Sequence, residues 1–166
     1  MILKRATHAD VDDALEVFRD ACERLNAMGV RQWPEYPSRA LLEESVNRRE
    51  LYLCRIHDVP AAIFRLLWSD EETWGPDDGL AGYVHMLAVH RRFSGTGCGK
   101  RVLFLAEQPI LNAGRTRFRL DCVSSSAKLR SFYQGAGFRF VEERKVGIFN
   151  VALFEKDLKA HREALH

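Results

Sequence analysis

Residues 87–103 read LAVHRRFSGTGCGKRVL: an apolar strand end, then Gly95, Gly97 and Gly99 at every second position, ringed by Arg91, Arg92, Lys100 and Arg101, then a helical pattern. Glycine lets backbone N–H groups come close to a partner, and a helix behind them presents its positive dipole end. The partner that suits such a turn is a phosphate.

The flanking segments supply the frame that holds this turn. MILKRA is a short strand, and Thr7 with Asp10 forms an acidic capping box at a helix start. Val11, Ala14, Leu15, Phe18, Ala21, Cys22, Leu25 and Met28 keep helical spacing up to Gly29. VRQWPEYPS is a loop, Ser38 an N-cap for a second helix to about Arg48, and ELYLCRI and PAAIFRLLWS are a hairpin around His57 and Asp58. After the polar loop DEETWGPDDG, LAGYVHMLAV is a central strand, and the glycine turn leads into a helix from about Gly97 to Asn112. TRFRLDCV is a strand, SSAKLRSFYQGAG a short helix, and FRFVEERKVGIFNVALFEKDL two closing strands. The order β-α-α-β-β-β-α-β-α-β-β predicts a mixed α/β (α+β) sheet, largely antiparallel, with a parallel pair across the glycine-led helix.

Length and composition bound the function. A chain of 166 residues can bury about two thirds of its unfolded surface around one core, so a single domain over 1–166 is expected. Hydrophobic residues at 46% and charged residues at 29% are the balance of a globular protein, and a net charge of +2 implies no strong electrostatic partner. Cys22, Cys54, Cys98 and Cys122 form no C-x-x-C pair and have no nearby histidine, which argues against a metal site and for reduced thiols. MILKRATHAD has no apolar signal core and no run of about 18 apolar residues occurs, so the expectation is a cytoplasmic protein with no membrane partner.

Two nucleotide motifs fail at the glycine turn. A Walker A loop needs G-x-x-x-x-G-K-[ST], but Ser94 and Arg101 stand at its ends. A dinucleotide fingerprint needs G-x-G-x-x-G, whereas the spacing is G-x-G-x-G. The turn resembles instead the acetyl-coenzyme A motif [QR]-x-x-G-x-[GA] of the GCN5-related N-acetyltransferase (GNAT) family, with Ser94 in place of the usual Gln or Arg and Arg91 where Pro is frequent. RLDCVSSSAKLRSFYQGAGF resembles the same family's downstream segment, with Leu129, Phe132, Tyr133, Gly137 and Phe138 in register and Ser126 in place of a frequent Asn.

The resemblance implies the GNAT fold and transfer of the acetyl group of acetyl-CoA to a primary amine by direct attack in a ternary complex. It implies that the backbone of Leu87, Ala88 and Val89 lines the pantetheine arm, and that Arg92, Ser94, Gly95, Thr96, Gly97, Cys98, Gly99 and Lys100 hold the pyrophosphate. Arg91, Arg92 or Lys100 would replace the missing Gln/Arg contact, and Ser126 and Lys128 border the arm from the second segment. It assigns Tyr133 as the acid that protonates the thiolate, with positioning of the sulfur as the rival role. HMLAVH is similar to the H-x-L-A-V-H segment of arylalkylamine N-acetyltransferases, which points to His85 as the base; strand alternation would put Tyr83, His85 and Leu87 on one face. Tyr83 stands where those enzymes carry a second histidine, and Glu35, Asp77 and Asp78 are the carboxylate alternatives.

For the acceptor, the resemblance makes the loop with Trp33, Glu35 and Tyr36 one wall of the site, against the plainer reading that the aromatics pack the loop down. The five acids Asp70, Glu71, Glu72, Asp77 and Asp78 would steer a cationic substrate. A small-molecule amine is the expected partner. A protein or peptide N-acetyltransferase and a non-catalytic CoA-binding sensor are the rivals. Nucleic acid is not expected, since the coenzyme's phosphates account for the basic turn, and the resemblance admits a homodimer.

Overall fold

The Thr7–Asp10 pair starts the first helix as its spacing predicts. In the computed structural model, which describes residues 1–33 and 37–159, the Asp10 carboxylate accepts from the Thr7 N–H and hydroxyl, each at 2.9 Å. Helix α1, Val11–Ala27, follows, and Gly29 at φ 74° lies just past its end. Ser38 accepts from the Leu41 amide at 3.2 Å and opens α2, Arg39–Asn47.

Seven strands in the order β1-β2-β3-β4-β5-β7-β6 make a mostly antiparallel sheet. They are β1 (Ile2–Arg5), β2 (Leu51–Ile56), β3 (Val59–Leu67), β4 (Ala81–Val89), β5 (Arg117–Val123), β6 (Arg139–Val146) and β7 (Phe149–Asp157). The β2–β3 hairpin turns at His57 and Asp58, with φ of 48° and 63°, the left-handed pair that a two-residue hairpin turn needs. β4 and β5 are the expected parallel pair, joined by α4, Cys98–Asn112, which continues through Pro109. Helix α5 is Ala127–Gly135. The loop predicted between β3 and β4 contains one further element, the single-turn helix α3, Glu71–Trp74, capped by Asp70. Four residues are too few to show a helical period, which is why the pattern hid it.

The chain divides into two compact units. In the first, residues 1–66 and 85–105, one face of α1 (Val11, Ala14, Val17, Phe18, Ala21) packs with Leu42 of α2 and with Leu51, Leu53, Ile63, Met86 and Ala88 of the strands. In the second, residues 67–84 and 106 onward, Phe118, Leu120, Leu153 and Phe154 are fully buried, with Tyr133 and Phe138 packed edge-on among them. Among the described residues no helix is long and apolar enough to cross a membrane.

Candidate active site

The glycine turn has the shape its sequence predicts. A 3₁₀ turn over Arg91–Phe93 leads through exposed Ser94–Gly97 into α4. Gly95 and Gly97 take φ of 77° and 82°, a region closed to most L side chains, and a Cβ added to either would meet no protein atom within 4 Å. Their role is therefore backbone conformation, with the space above them left clear. Gly99 already lies in the helix. The first bond into α4 runs from the Arg101 N–H to the Gly97 carbonyl at 3.1 Å, so the amides of Cys98, Gly99 and Lys100 precede any intrahelical acceptor. Cys98 is buried and burial raises its thiol pKa, which leaves its N–H as the part that can serve a ligand. Thr96 donates its hydroxyl to the Phe93 carbonyl at 2.7 Å and so braces the turn.

The cations around the turn divide. Arg91 is drawn to α1: its N–H donates to Asp20 at 2.7 Å, its guanidinium pairs with the same carboxylate, and Glu23 lies 3.7 Å away. That engagement removes Arg91 from the residues expected to replace the missing Gln/Arg contact. Arg92 and Lys100 are exposed and carry no ion pair among the described residues, although the Arg92 N–H donates to His90 Nδ1.

The strand that leads into the turn is irregular. Met86, in the middle of β4, has φ 54°, a conformation that costs a non-glycine residue about 1–3 kcal/mol. The ladder to β5 pairs Ala81–Val84 with Arg117–Leu120 and includes none of residues 85–89. The His90 N–H bonds the Ala61 carbonyl on β3 at 2.9 Å. Neighbouring residues of a strand aim their peptide groups at opposite edges, so the Val89 N–H and C=O face the edge away from β3. Ala88 is buried in the core, while His85, Leu87 and Val89 are half-buried. The left-handed Met86 interrupts the regular alternation that was to carry Tyr83, His85 and Leu87 on one face.

In the second unit Tyr133 sits on α5, 6% exposed, among Phe132, Phe138 and Phe154. Its hydroxyl has no hydrogen-bond partner among the described residues. Burial pushes its pKa well above the ordinary phenol value, with Cys122 and Asp121 adding to the rise. Ser126 is buried, and its hydroxyl caps α5 by accepting from the Leu129 amide at 3.3 Å. Lys128 is exposed.

Two readings of the sequence change here. Asp77 and Asp78, the alternative bases, are tied into a buried arginine network: Arg119 donates to Asp78 at 2.8 Å, to Glu155 at 2.9 Å and to the Tyr83 hydroxyl at 3.0 Å, and that hydroxyl donates to Asp77 at 3.2 Å. Arg115 approaches Asp77 at 3.4 Å. Both carboxylates are structural, and the loop's steering charge reduces to Glu71 and Glu72, since Asp70 caps α3. Trp33 packs edge-on to Phe18 at 5.1 Å, against the first unit's core. Glu35 and Tyr36 lie outside the described residues. Sequence reasoning missed the Arg119 network, whose members are scattered from Asp77 to Glu155, and the Met86 irregularity, which no glycine marks.

The acetyltransferase (GNAT) domain family model matches residues 22–148. An uncharacterized N-acetyltransferase, YesJ of Bacillus subtilis (strain 168), is 34% identical over 165 residues, covering 93% of this chain and 89% of that protein. The chain belongs to the GNAT acetyltransferase family. The same fold is seen in a GNAT-family acetyltransferase from Listeria monocytogenes 4b F2365, with TM-score 0.79, 22% identity and coverage of 95% and 94% of the two chains. It is seen also in the aminoglycoside acetyltransferase AAC(6')-Ib in complex with coenzyme A, with TM-score 0.80, 16% identity and coverage of 99% and 98%. As a GNAT enzyme the acetyltransferase takes its acetyl group from acetyl-CoA, and a turn with two left-handed glycines, clear space and uncommitted helix amides fits the phosphates of that cosubstrate.

Proposed function

We propose that this acetyltransferase moves the acetyl group of acetyl-CoA to a primary amine on a small molecule, by direct attack of the amine on the thioester. The observation that carries the transfer reading is the Tyr133 phenol, buried and raised in pKa, with a hydroxyl that no described residue engages. An alcohol-like group in that state stays protonated across the working pH range and holds a proton for the departing thiolate. The amine nitrogen forms the new C–N bond, the C–S bond breaks, and the electron pair leaves on sulfur.

The other roles follow the chemistry that transfer demands. Backbone amides of Leu87 to Val89 bind the pantetheine arm and the thioester oxygen as charge develops on it. The amides of the glycine turn hold the pyrophosphate, helped by Arg92 and Lys100. His85, half-buried on β4, takes the amine proton on a ring nitrogen. Ser126 acts by holding the start of α5 and Lys128 by its charge. The acceptor wall is assigned to the loop that carries Trp33, Glu35 and Tyr36, where Trp33 is half-buried against Phe18, because aromatics beside a carboxylate suit an amine on an apolar or ring-shaped body.

The test is thiol release from acetyl-CoA with arylalkylamines, polyamines, aminoglycosides, amino acids and short peptides, corrected for a no-acceptor blank. Tyr133→Phe lowers kcat on the preferred amine by about a hundredfold or more, the usual size of a lost general acid, and leaves acetyl-CoA affinity unchanged. Wild-type kcat in Tyr133→Phe would remove the phenol from the mechanism. Turnover of peptides alone would overturn the small-molecule acceptor.

A further inference from the structure

Arg24 stands at a position of α1 that the helical pattern reserves for the core. It follows Val17 by seven residues and Ala21 by three, and those two are 0% and 1% exposed. Its guanidinium leaves α1 and reaches the end of β4, where Nη2 donates to the Val89 carbonyl at 3.4 Å, a long bond. Nε is buried and has no partner. No carboxylate pairs with Arg24 among the described residues, although Asp20 and Glu23 are on the same helix; both face Arg91 instead. A cation in the last turn of a helix is favourable to the helix dipole. That effect accounts for the charge, but not for a desolvated Nε or for a reach toward the strand.

A guanidinium has five donors and no acceptor capacity; Arg24 is half-buried, and burying its Nε–H without an acceptor is costly. Arg24 makes one weak bond with that set, to the Val89 carbonyl, which faces the edge of β4 away from β3. We propose that Arg24 is a binding residue for the acetyl donor, its free N–H groups donating to an oxygen of coenzyme A that lies along this edge. The inference rests on the reading of β4 and the glycine turn as the coenzyme site. The shared chemistry is an oxygen acceptor, supplied either by the amide and hydroxyl oxygens of the pantetheine arm or by the pyrophosphate.

Calorimetric titration of coenzyme A into wild type, Arg24→Leu and Arg24→Lys tests this without reference to any acceptor amine. Arg24→Leu weakens coenzyme A about ten- to a hundredfold, the worth of a hydrogen bond to a charged group. Arg24→Lys recovers part of that loss, because an ammonium keeps the charge but not the planar fork. The melting temperature of Arg24→Leu is not below that of wild type, since an apolar side chain replaces an unpaired cation. Repeating the titration with pantetheine separates the two sources: a Leu effect that persists places the oxygen in the arm, and one that disappears places it in the pyrophosphate. Wild-type affinity in a folded Arg24→Leu overturns the proposal, as does a loss of affinity in both variants that follows a fall in melting temperature. If Arg24→Leu does not fold, wild-type affinity in Arg24→Lys overturns it alone. A wild-type protein that binds no coenzyme A defeats the transfer reading itself, a separate result.

Discussion

Around the glycine turn Arg92, Lys100 and Arg101 carry no ion pair among the described residues, whereas in the second unit Arg115, Arg117, Arg119 and Arg139 converge on Asp77, Asp78 and Glu155. Both regions are rich in the same residue type. The difference lies in who supplies the negative charge. Where the protein supplies it, the guanidinium is part of the fold: Arg119 is 8% exposed, bonded to two carboxylates and a phenol, and lies over the rings of Trp74 and Tyr83. Burial alone would lower its pKa, but Glu155, Asp78 and Tyr83 outweigh that and hold the cation charged. Where the protein does not supply it, the cations surround open space and uncommitted amides, and a ligand must bring the charge.

The largest expected effect separates the two regions directly. Glu155 is 7% exposed and accepts from Arg119 at 2.9 Å and from Arg139 at 2.6 Å, so Glu155→Gln strips the buried Arg119 guanidinium of one of its two carboxylates. Removing one partner of such a pair costs about 3 kcal/mol or more, a fall in melting temperature of roughly 6–12 °C for a chain of this size. Lys100→Gln changes stability by less than about 0.5 kcal/mol and instead weakens coenzyme A. Thermal melts with and without coenzyme A check both halves. A Lys100→Gln protein as destabilised as Glu155→Gln would break the comparison, because the turn's charge would then belong to the fold.

Gly97→Ala is the next effect in size and sharpens the same contrast from the backbone side. At φ 82°, with nothing within 4 Å of the added Cβ, the cost is conformational and not steric, about 1–2 kcal/mol. The melting temperature falls by a few degrees, and coenzyme A affinity falls more than the stability loss explains, because the methyl enters the space a ligand would use. An alanine variant with wild-type affinity would mean that the cleared space serves no ligand.

The sequence made the turn and its frame legible because the deciding signals there are local. Thr7 with Asp10, Ser38 before α2, and the spaced glycines each work within a few residues, and each appears where it was predicted. The Arg119 network and the engagement of Arg91 were hidden for the opposite reason. Arg91 meets Asp20 across 71 residues, and nothing near either residue announces the other. Asp77 and Asp78 looked like free carboxylates beside a strand until Arg115 and Arg119 were folded against them. Met86 adopts a glycine-like conformation without being glycine, so local chemistry contained no trace of it. Charge in a sequence therefore reports composition, and only the fold reports whether that charge is spent.

The smallest effect is a pH dependence confined to the paired region. Burial tends to raise the Asp78 carboxyl, but the Leu80 amide and Arg119, with Arg117 nearby, outweigh it and hold the pKa below the ordinary carboxylate value. A carboxyl depressed in the folded state releases its proton more readily there than in the unfolded chain. Its contribution is therefore complete above the unfolded value of about 4 and is lost as pH falls through that value toward the folded one. Asp78 is 35% exposed, so water screens the pair and Asp78→Asn costs only about 0.5–1 kcal/mol at neutral pH. Unfolding free energy measured from about pH 7 to about pH 3 should fall less steeply in Asp78→Asn than in wild type, with the two curves meeting at the acid end. Lys100→Gln should leave the wild-type slope intact, since Lys100 pairs with no described carboxylate. Parallel curves for wild type and Asp78→Asn would show that the Arg119 contact is not what depresses Asp78, and would weaken the claim that this cluster's arginines are held by the fold.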